Sequence, residues 1–142
     1  MTKKILEKYG DRVSLAYFDF PLRERTMVAA EAAQCAGRQK KFWEYHDLLF
    51  RTVPAWERAP DPRGVFDGMA SDLGLDTQTF SACMDSHATQ REIEESRSLG
   101  RSLGVTSTPT LFINDKRFVG YLPLPQFERE IEAALQKVGQ AN

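Results

Sequence analysis

Residues 104–120 read Gly104-Val105-Thr106-Ser107-Thr108-Pro109-Thr110-Leu111-Phe112-Ile113-Asn114-Asp115-Lys116-Arg117-Phe118-Val119-Gly120. This stretch combines a helix stop, a prolyl turn and a short hairpin. Gly104 suits the left-handed position that follows a helix end. Thr110 to Ile113 and Arg117 to Val119 have the branched and aromatic composition of strands, and the polar pair Asn114-Asp115 between them has turn character. A prolyl bond in the cis form at Pro109 leaves Thr108 without a regular ladder partner, with its backbone free to pair with an extended peptide. Because only about 5–6% of X-Pro bonds in folded proteins are cis, an ordinary trans proline opening an edge strand is the default, and context has to overturn it.

That context lies in both directions along the chain. The segment Gly104-Val105-Thr106-Ser107-Thr108-Pro109-Thr110-Leu111-Phe112-Ile113-Asn114-Asp115 resembles the G-V-x-G-T-P-T-x-x-[IV]-N-G run of the DsbA-like thioredoxin-fold disulfide oxidoreductases. The resemblance extends upstream through Phe18-Asp19-Phe20-Pro21-Leu22, Ala29-Ala30-Glu31-Ala32-Ala33-Gln34-Cys35-Ala36, 41–50 (KFWEYHDLLF) and 80–86 (FSACMDS), so it covers nearly the whole chain. It implies an α/β, thioredoxin-like (DsbA-type) sheet with a helical insertion at about 27–100, in a single domain spanning 1–142. It also implies a cis proline beside the redox cysteines, with Thr108 and Pro109 orienting an extended polypeptide substrate.

The departure from the family pattern is a missing C-x-x-C. In relatives this motif sits at a helix N-terminus, where the dipole stabilises the thiolate. Here Thr2 to Gly10 looks like the tail of such a helix, and the expectation is a fold truncated at its N-terminus with no catalytic residue of its own. A strand lost there would lie between Val13–Phe20 and the strand after Pro109, exposing backbone groups on both. Association between copies through those edges is the expected remedy.

The sequence holds two cysteines, Cys35 and Cys83, each on a separate predicted helix. The residues alone leave two readings: buried free thiols, or a structural disulfide worth roughly 4 kcal/mol in the chain-entropy model. The resemblance implies the disulfide, since both positions match cysteines that recur together in relatives.

Composition bounds the rest. With 142 residues, 42% of them hydrophobic, the chain is long enough for a sizeable core. A net charge of −1 gives no electrostatic reason to expect nucleic acid, and no apolar run approaches the roughly 20 residues a bilayer span requires. No secretory signal is visible, although the family is mostly periplasmic or extracytoplasmic. Neither a cofactor nor a metal is expected.

Along the chain, Val13 to Phe20 has strand composition, and Pro21 would stop its ladder. Met27 to Phe50 is helical, interrupted near Gly37, and Phe42, Trp43, His46, Leu49 and Phe50 recur as one apolar face expected to join the core. His46 on that face reads as a buried histidine satisfied by one hydrogen bond, and His87 as solvated. Val53 to Pro62 reads as a proline-rich loop with Trp56 packed over the core. Helices are expected over Val65–Leu73, after Asp76, over Thr89–Leu103 with Ile93, Gly100 and Leu103 inward, and after Pro125 with Phe127, Ile131, Ala134, Leu135 and Val138 as its buried stripe.

Three functions fit: a truncated or degenerate disulfide oxidoreductase domain, a non-redox peptide-binding or chaperone-like module, and the glutathione-dependent isomerase or transferase branch of the same fold.

Overall fold

The computed structural model describes residues 2–140. Its elements run α1 (Thr2–Tyr9), a single 3-10 turn (Gly10–Arg12), α2 (Glu24–Gly37), α3 (Phe42–Arg51), α4 (Val53–Arg58), α5 (Arg63–Asp72), α6 (Thr77–Asp85), α7 (Gln90–Ser102), β1 (Thr110–Ile113), β2 (Lys116–Val119) and α8 (Leu124–Gln140). The chain divides into two compact units. One holds the residues up to Tyr17 and those from Arg101 onward, and the other runs from Phe18 to Gly100.

The second unit is all helical and built on α2. Ala29, Ala32, Ala33 and Ala36 are buried, and side chains this small let α3, α5 and α6 approach closely. Around them pack Tyr45, Leu49, Trp56, Phe66, Met69, Phe80 and Met84. Its buried polar tips are satisfied: the Tyr45 hydroxyl donates to the Phe66 carbonyl at 2.9 Å, and Trp56 Nε1 donates to the Leu49 carbonyl at 2.9 Å. The run expected to be a loop at Val53 instead contains α4, which tolerates Pro54 because the first helical turn needs no N–H there. Asp76 caps α6, accepting from Thr79 N–H at 2.6 Å.

Of the α3 face that periodicity suggested, Leu49 is buried and Phe42 packs against the core, but Trp43 and Phe50 do not turn inward. Tyr45 and Leu49 are the core residues, whereas Phe50 is 64% exposed and Trp43 43% exposed. Tyr45 supplies an aromatic ring together with a hydroxyl whose acceptor, the Phe66 carbonyl, lies in the core, so its polarity kept it out of the expected stripe. Leu103, just past the end of α7, and Val138, in the last turns of α8, were also expected inward and are exposed.

The first unit sets α1 and α8 against one face of the hairpin. Ile5, Tyr9, Leu122, Phe127 and Ile131 are buried, with Leu111, Ile113 and Phe118 packed on them. The Tyr9 hydroxyl donates to Glu132 Oε1 at 2.9 Å, and Lys8 Nζ lies 3.0 Å from Glu128 Oε2, so α1 is tied to α8 rather than being a weak remnant.

Val13 to Phe20 does not form a strand. Val13 has extended angles, φ −132° and ψ 146°, as its composition suggested. A strand also requires a ladder partner, and among the described residues the sheet contains β1 and β2 alone.

β1 and β2 are antiparallel, pairing Thr110 with Val119, Leu111 with Phe118, Phe112 with Arg117 and Ile113 with Lys116. Asn114 takes the left-handed φ of +53° that this tight connection requires. Gly104, after α7, has φ +74°, and Arg117 Nη1 donates to the Leu103 and Gly104 carbonyls at 3.2 and 2.9 Å, satisfying acceptors left by the helix end. A Cβ on Gly104 would stand 2.7 Å from that nitrogen. Replacing Gly104 with Ala should therefore lower unfolding free energy by about 1–2 kcal/mol, the usual cost of a left-handed non-glycine residue, measurable by urea denaturation.

Candidate functional site

The expected site residues Thr108 and Pro109 lie on the loop entering β1. Both are exposed, and the Thr108–Pro109 peptide bond is cis. On either side the loop is tied down: Thr110 Oγ1 donates to the Ser107 carbonyl at 2.7 Å, and Gly120 N–H donates to the Pro109 carbonyl at 2.8 Å. Outside the helices and the hairpin, none of the described backbone hydrogen bonds uses Thr108.

The Gly120 to Pro109 bond also fixes the alternation of the hairpin. Pro109 opposite Gly120 is a hydrogen-bonded position, so Leu111 opposite Phe118 and Ile113 opposite Lys116 are the next two. Thr110 and Phe112 on β1 therefore point their N–H and C=O groups away from β2, along the edge that continues from Thr108. Arg117 and Val119 do the same on the far edge. Two surface depressions, about 370 Å³ beside Tyr9 and about 470 Å³ beside Phe50, do not include Thr108 or Pro109. The candidate site is an edge and not a cavity.

Cys35 on α2 and Cys83 on α6 form a disulfide with their Cα atoms 5.9 Å apart, closing a sequence separation of 48. With both sulfurs in one bond, none of the described residues is a free cysteine. One turn away, His87 Nδ1 lies 2.8 Å from Glu31 Oε2, so the histidine read as merely solvated covers a buried carboxylate. Glu31 and Cys35 are four apart on α2, and Cys83 and His87 are four apart at the end of α6, so one helical turn separates the covalent and the polar link. The i, i+4 spacing on both sides was the signal that could have found this pair.

Two further titratable groups sit in the helical unit. Asp19 is buried and accepts from Gln34 Nε2 at 2.6 Å; burial pushes its pKa up, against the opposing pull of that hydrogen bond and of nearby His46. His46 is half-buried, with Nδ1 3.1 Å from Asp47 Oδ1 and its ring 4.8 Å from that of Phe50. Among the described residues no cluster of His, Cys, Asp or Glu is arranged to hold a metal ion. No described helix is long and apolar enough to cross a membrane.

The sequence profile of the family described as Thioredoxin matches residues 1–133. The chain belongs to the thioredoxin family. It is similar to Disulfide bond formation protein D of Bacillus subtilis (strain 168), 25% identical over 100 residues, covering 67% of this chain and 43% of that protein. A Na(+)/H(+) antiporter NhaA of Herminiimonas arsenicoxydans is 30% identical over 112 residues, covering 79% of this chain and 17% of the antiporter. This thioredoxin-family chain thus spans less than half the length of either curated relative. A solved thioredoxin-like oxidoreductase from Silicibacter pomeroyi DSS-3 shares the fold, with a TM-score of 0.69 at 24% identity over 84% of this chain and 67% of that one. The α/β assignment holds, as helices with a small antiparallel sheet.

Two outcomes follow from the site geometry. Opening the Cys35–Cys83 loop by replacing both cysteines with Ala should cost about 4 kcal/mol of stability, from the chain entropy of a loop this long, read as a shifted urea midpoint. For Asp19, the folded chain keeps its proton over a window where the unfolded chain, near the ordinary Asp value of about 3.9, has released it. Stability is therefore lost as pH rises through that window. Asp19→Asn, which keeps an acceptor for Gln34, should be more stable than the parent at neutral pH, and the two should converge below the ordinary carboxylate range in pH-dependent melts.

Proposed function

We propose that this chain is a DsbA-like thiol-disulfide oxidoreductase domain, 1–142, carrying its helical insertion at about 27–100 and contributing the polypeptide-docking part of the reaction. The observation that carries this reading is the exposed Thr108–Pro109 loop running into the outward-facing backbone of Thr110 and Phe112, in a chain whose family match spans 1–133. An extended substrate would lie antiparallel or parallel to this edge, bonded by main-chain groups, as in strand addition. Such contacts read backbone shape and accept many sequences, which suits a protein acting on unfolded chains.

In thiol-disulfide exchange a thiolate attacks one sulfur of a disulfide, the other sulfur leaves as a thiolate, and the mixed disulfide is resolved by a second thiol. The 142 residues hold no C-x-x-C, and their two cysteines are joined to one another. The attacking thiolate is therefore not one of this chain's cysteines, and the Cys35–Cys83 bond is structural. Such a bond suits an oxidising compartment.

A non-redox reading, in which the same edge holds extended polypeptide with no sulfur chemistry, is favoured by the same bonded cysteines. A link to membrane cation transport is favoured by the antiporter relatives, of which the chain covers 17% in one case and 20% in another.

The 142-residue chain should reduce insulin no faster than the buffer control. It should nevertheless bind a reduced, carboxymethylated polypeptide, measured by fluorescence anisotropy. Thr108→Pro, which deletes the Thr108 N–H, should weaken that binding about tenfold, equivalent to roughly 1.4 kcal/mol and of the size of one lost main-chain hydrogen bond. Wild-type affinity in a folded Thr108→Pro variant would sink the docking role, and turnover of insulin lost on Cys35→Ser would sink the structural assignment of the disulfide.

A further inference from the structure

We infer that the outer edge of β2 is a self-association surface on which a second copy of this chain docks, β2 against β2, to give a continuous four-stranded antiparallel sheet. This edge lies on the opposite side of the hairpin from the Thr108–Pro109 loop, and the inference does not depend on the polypeptide-docking role proposed for β1.

The first observation is the unpaired backbone. Arg117 and Val119 direct their N–H and C=O groups outward from β2, and among the described residues no third strand meets them. An edge strand normally protects itself with charged side chains. β2 begins with two cations, Lys116 and Arg117, yet both are committed elsewhere. Lys116 Nζ reaches Glu130 Oε2 on α8 at 2.6 Å, on the covered face of the hairpin. Arg117 folds back on the Leu103 and Gly104 carbonyls. The charges that would deter strand addition are thus turned away from the edge.

The second observation is what that edge presents. Thr110, Phe112, Arg117 and Val119 share the hairpin face that α1 and α8 do not cover. Val119 is 62% exposed, Phe112 43%, and Tyr121 just beyond the strand 77%. An antiparallel sheet with one solvated face is expected to carry polar side chains there. Water can satisfy the open N–H and C=O groups, but a second strand satisfies them while also covering Val119 and Phe112.

The occupant is a second copy because the edge is self-complementary. A two-fold axis through Val119 pairs two outward-facing residues, Val119 with Val119 of the other copy, as a hydrogen-bonded position. The same register carries Arg117 of each copy alongside Tyr121 of the other. Because Arg117 is held on the Leu103 and Gly104 carbonyls, no cation faces another across this axis. Two-fold contacts of this kind close on themselves and stop at the dimer.

The test uses the full chain. Light scattering and analytical ultracentrifugation across the micromolar range should show a dimer, and Val119→Lys, a change at an exposed position, should weaken dimerisation at least about tenfold. Val119→Cys under mild oxidation should give a disulfide-linked dimer, because a hydrogen-bonded antiparallel pair holds its Cα atoms about 5.5 Å apart, within disulfide reach. A wild-type chain that is monomeric throughout, or a dimer unaffected by Val119→Lys, overturns the inference. Absence of the cross-link in a persisting dimer overturns the register. Val119→Lys should leave polypeptide binding intact, and Thr108→Pro should leave the dimer intact. Loss of both properties in Val119→Lys would refute the separation of the two edges, whereas a Thr108→Pro variant that still binds polypeptide leaves the dimer standing and removes the docking role alone.

Discussion

A two-stranded sheet can pair only half of its backbone hydrogen-bonding groups, and the outward half must find partners or stay in water. That constraint organises the hairpin of this protein. The bond from Gly120 to Pro109 fixes which residues turn inward, and so fixes that Thr110 and Phe112 face one side and Arg117 and Val119 the other. The Thr108–Pro109 loop then sits in line with the first of these edges. In the proposed docking role an extended polypeptide would be met by an accessible edge, which is the form main-chain recognition requires.

The helical unit obeys a different constraint, close packing around a helix of small side chains. Four buried alanines on α2 bring its neighbours in, and the contact between α2 and α6 is then secured twice, by Cys35–Cys83 and by Glu31–His87 one turn away. A buried carboxylate is costly unless it is hydrogen-bonded, and His87 meets that need from the surface. The covalent link acts chiefly on the unfolded chain, the polar one on the folded state, so the two stabilise the same junction by independent means.

Together the two units separate recognition from stability. The edge residues that the proposed function uses carry few contacts of their own and depend on the packing of Leu111, Ile113 and Phe118 against α1 and α8 to stay in register. The cysteines are committed to the helical unit. In the proposed reading these residues contribute docking, and the thiolate of thiol-disulfide exchange is additional to them.

The run from Gly104 to Gly120 was legible from sequence almost residue by residue, since glycine after a helix, a polar two-residue turn and branched flanks act through local sterics. The prolines around it hid α4, but most of the helices were legible for the same reason, with ends marked by Gly37, Asp76 and Gly104. Which face of α3 would be buried was not, because Tyr45 and Phe42 to Phe50 offer two apolar stripes and only the neighbouring helices choose between them. Nor was the fate of Val13 to Phe20, whose composition favours extended backbone while a ladder depends on a partner elsewhere in the chain. The Glu31–His87 pair likewise joins residues 56 apart. Sequence by itself determined the local turns, the helix boundaries and the family; tertiary structure decided burial, strand pairing and the satisfaction of buried charge, because those are properties of distant segments meeting and are written in no single segment.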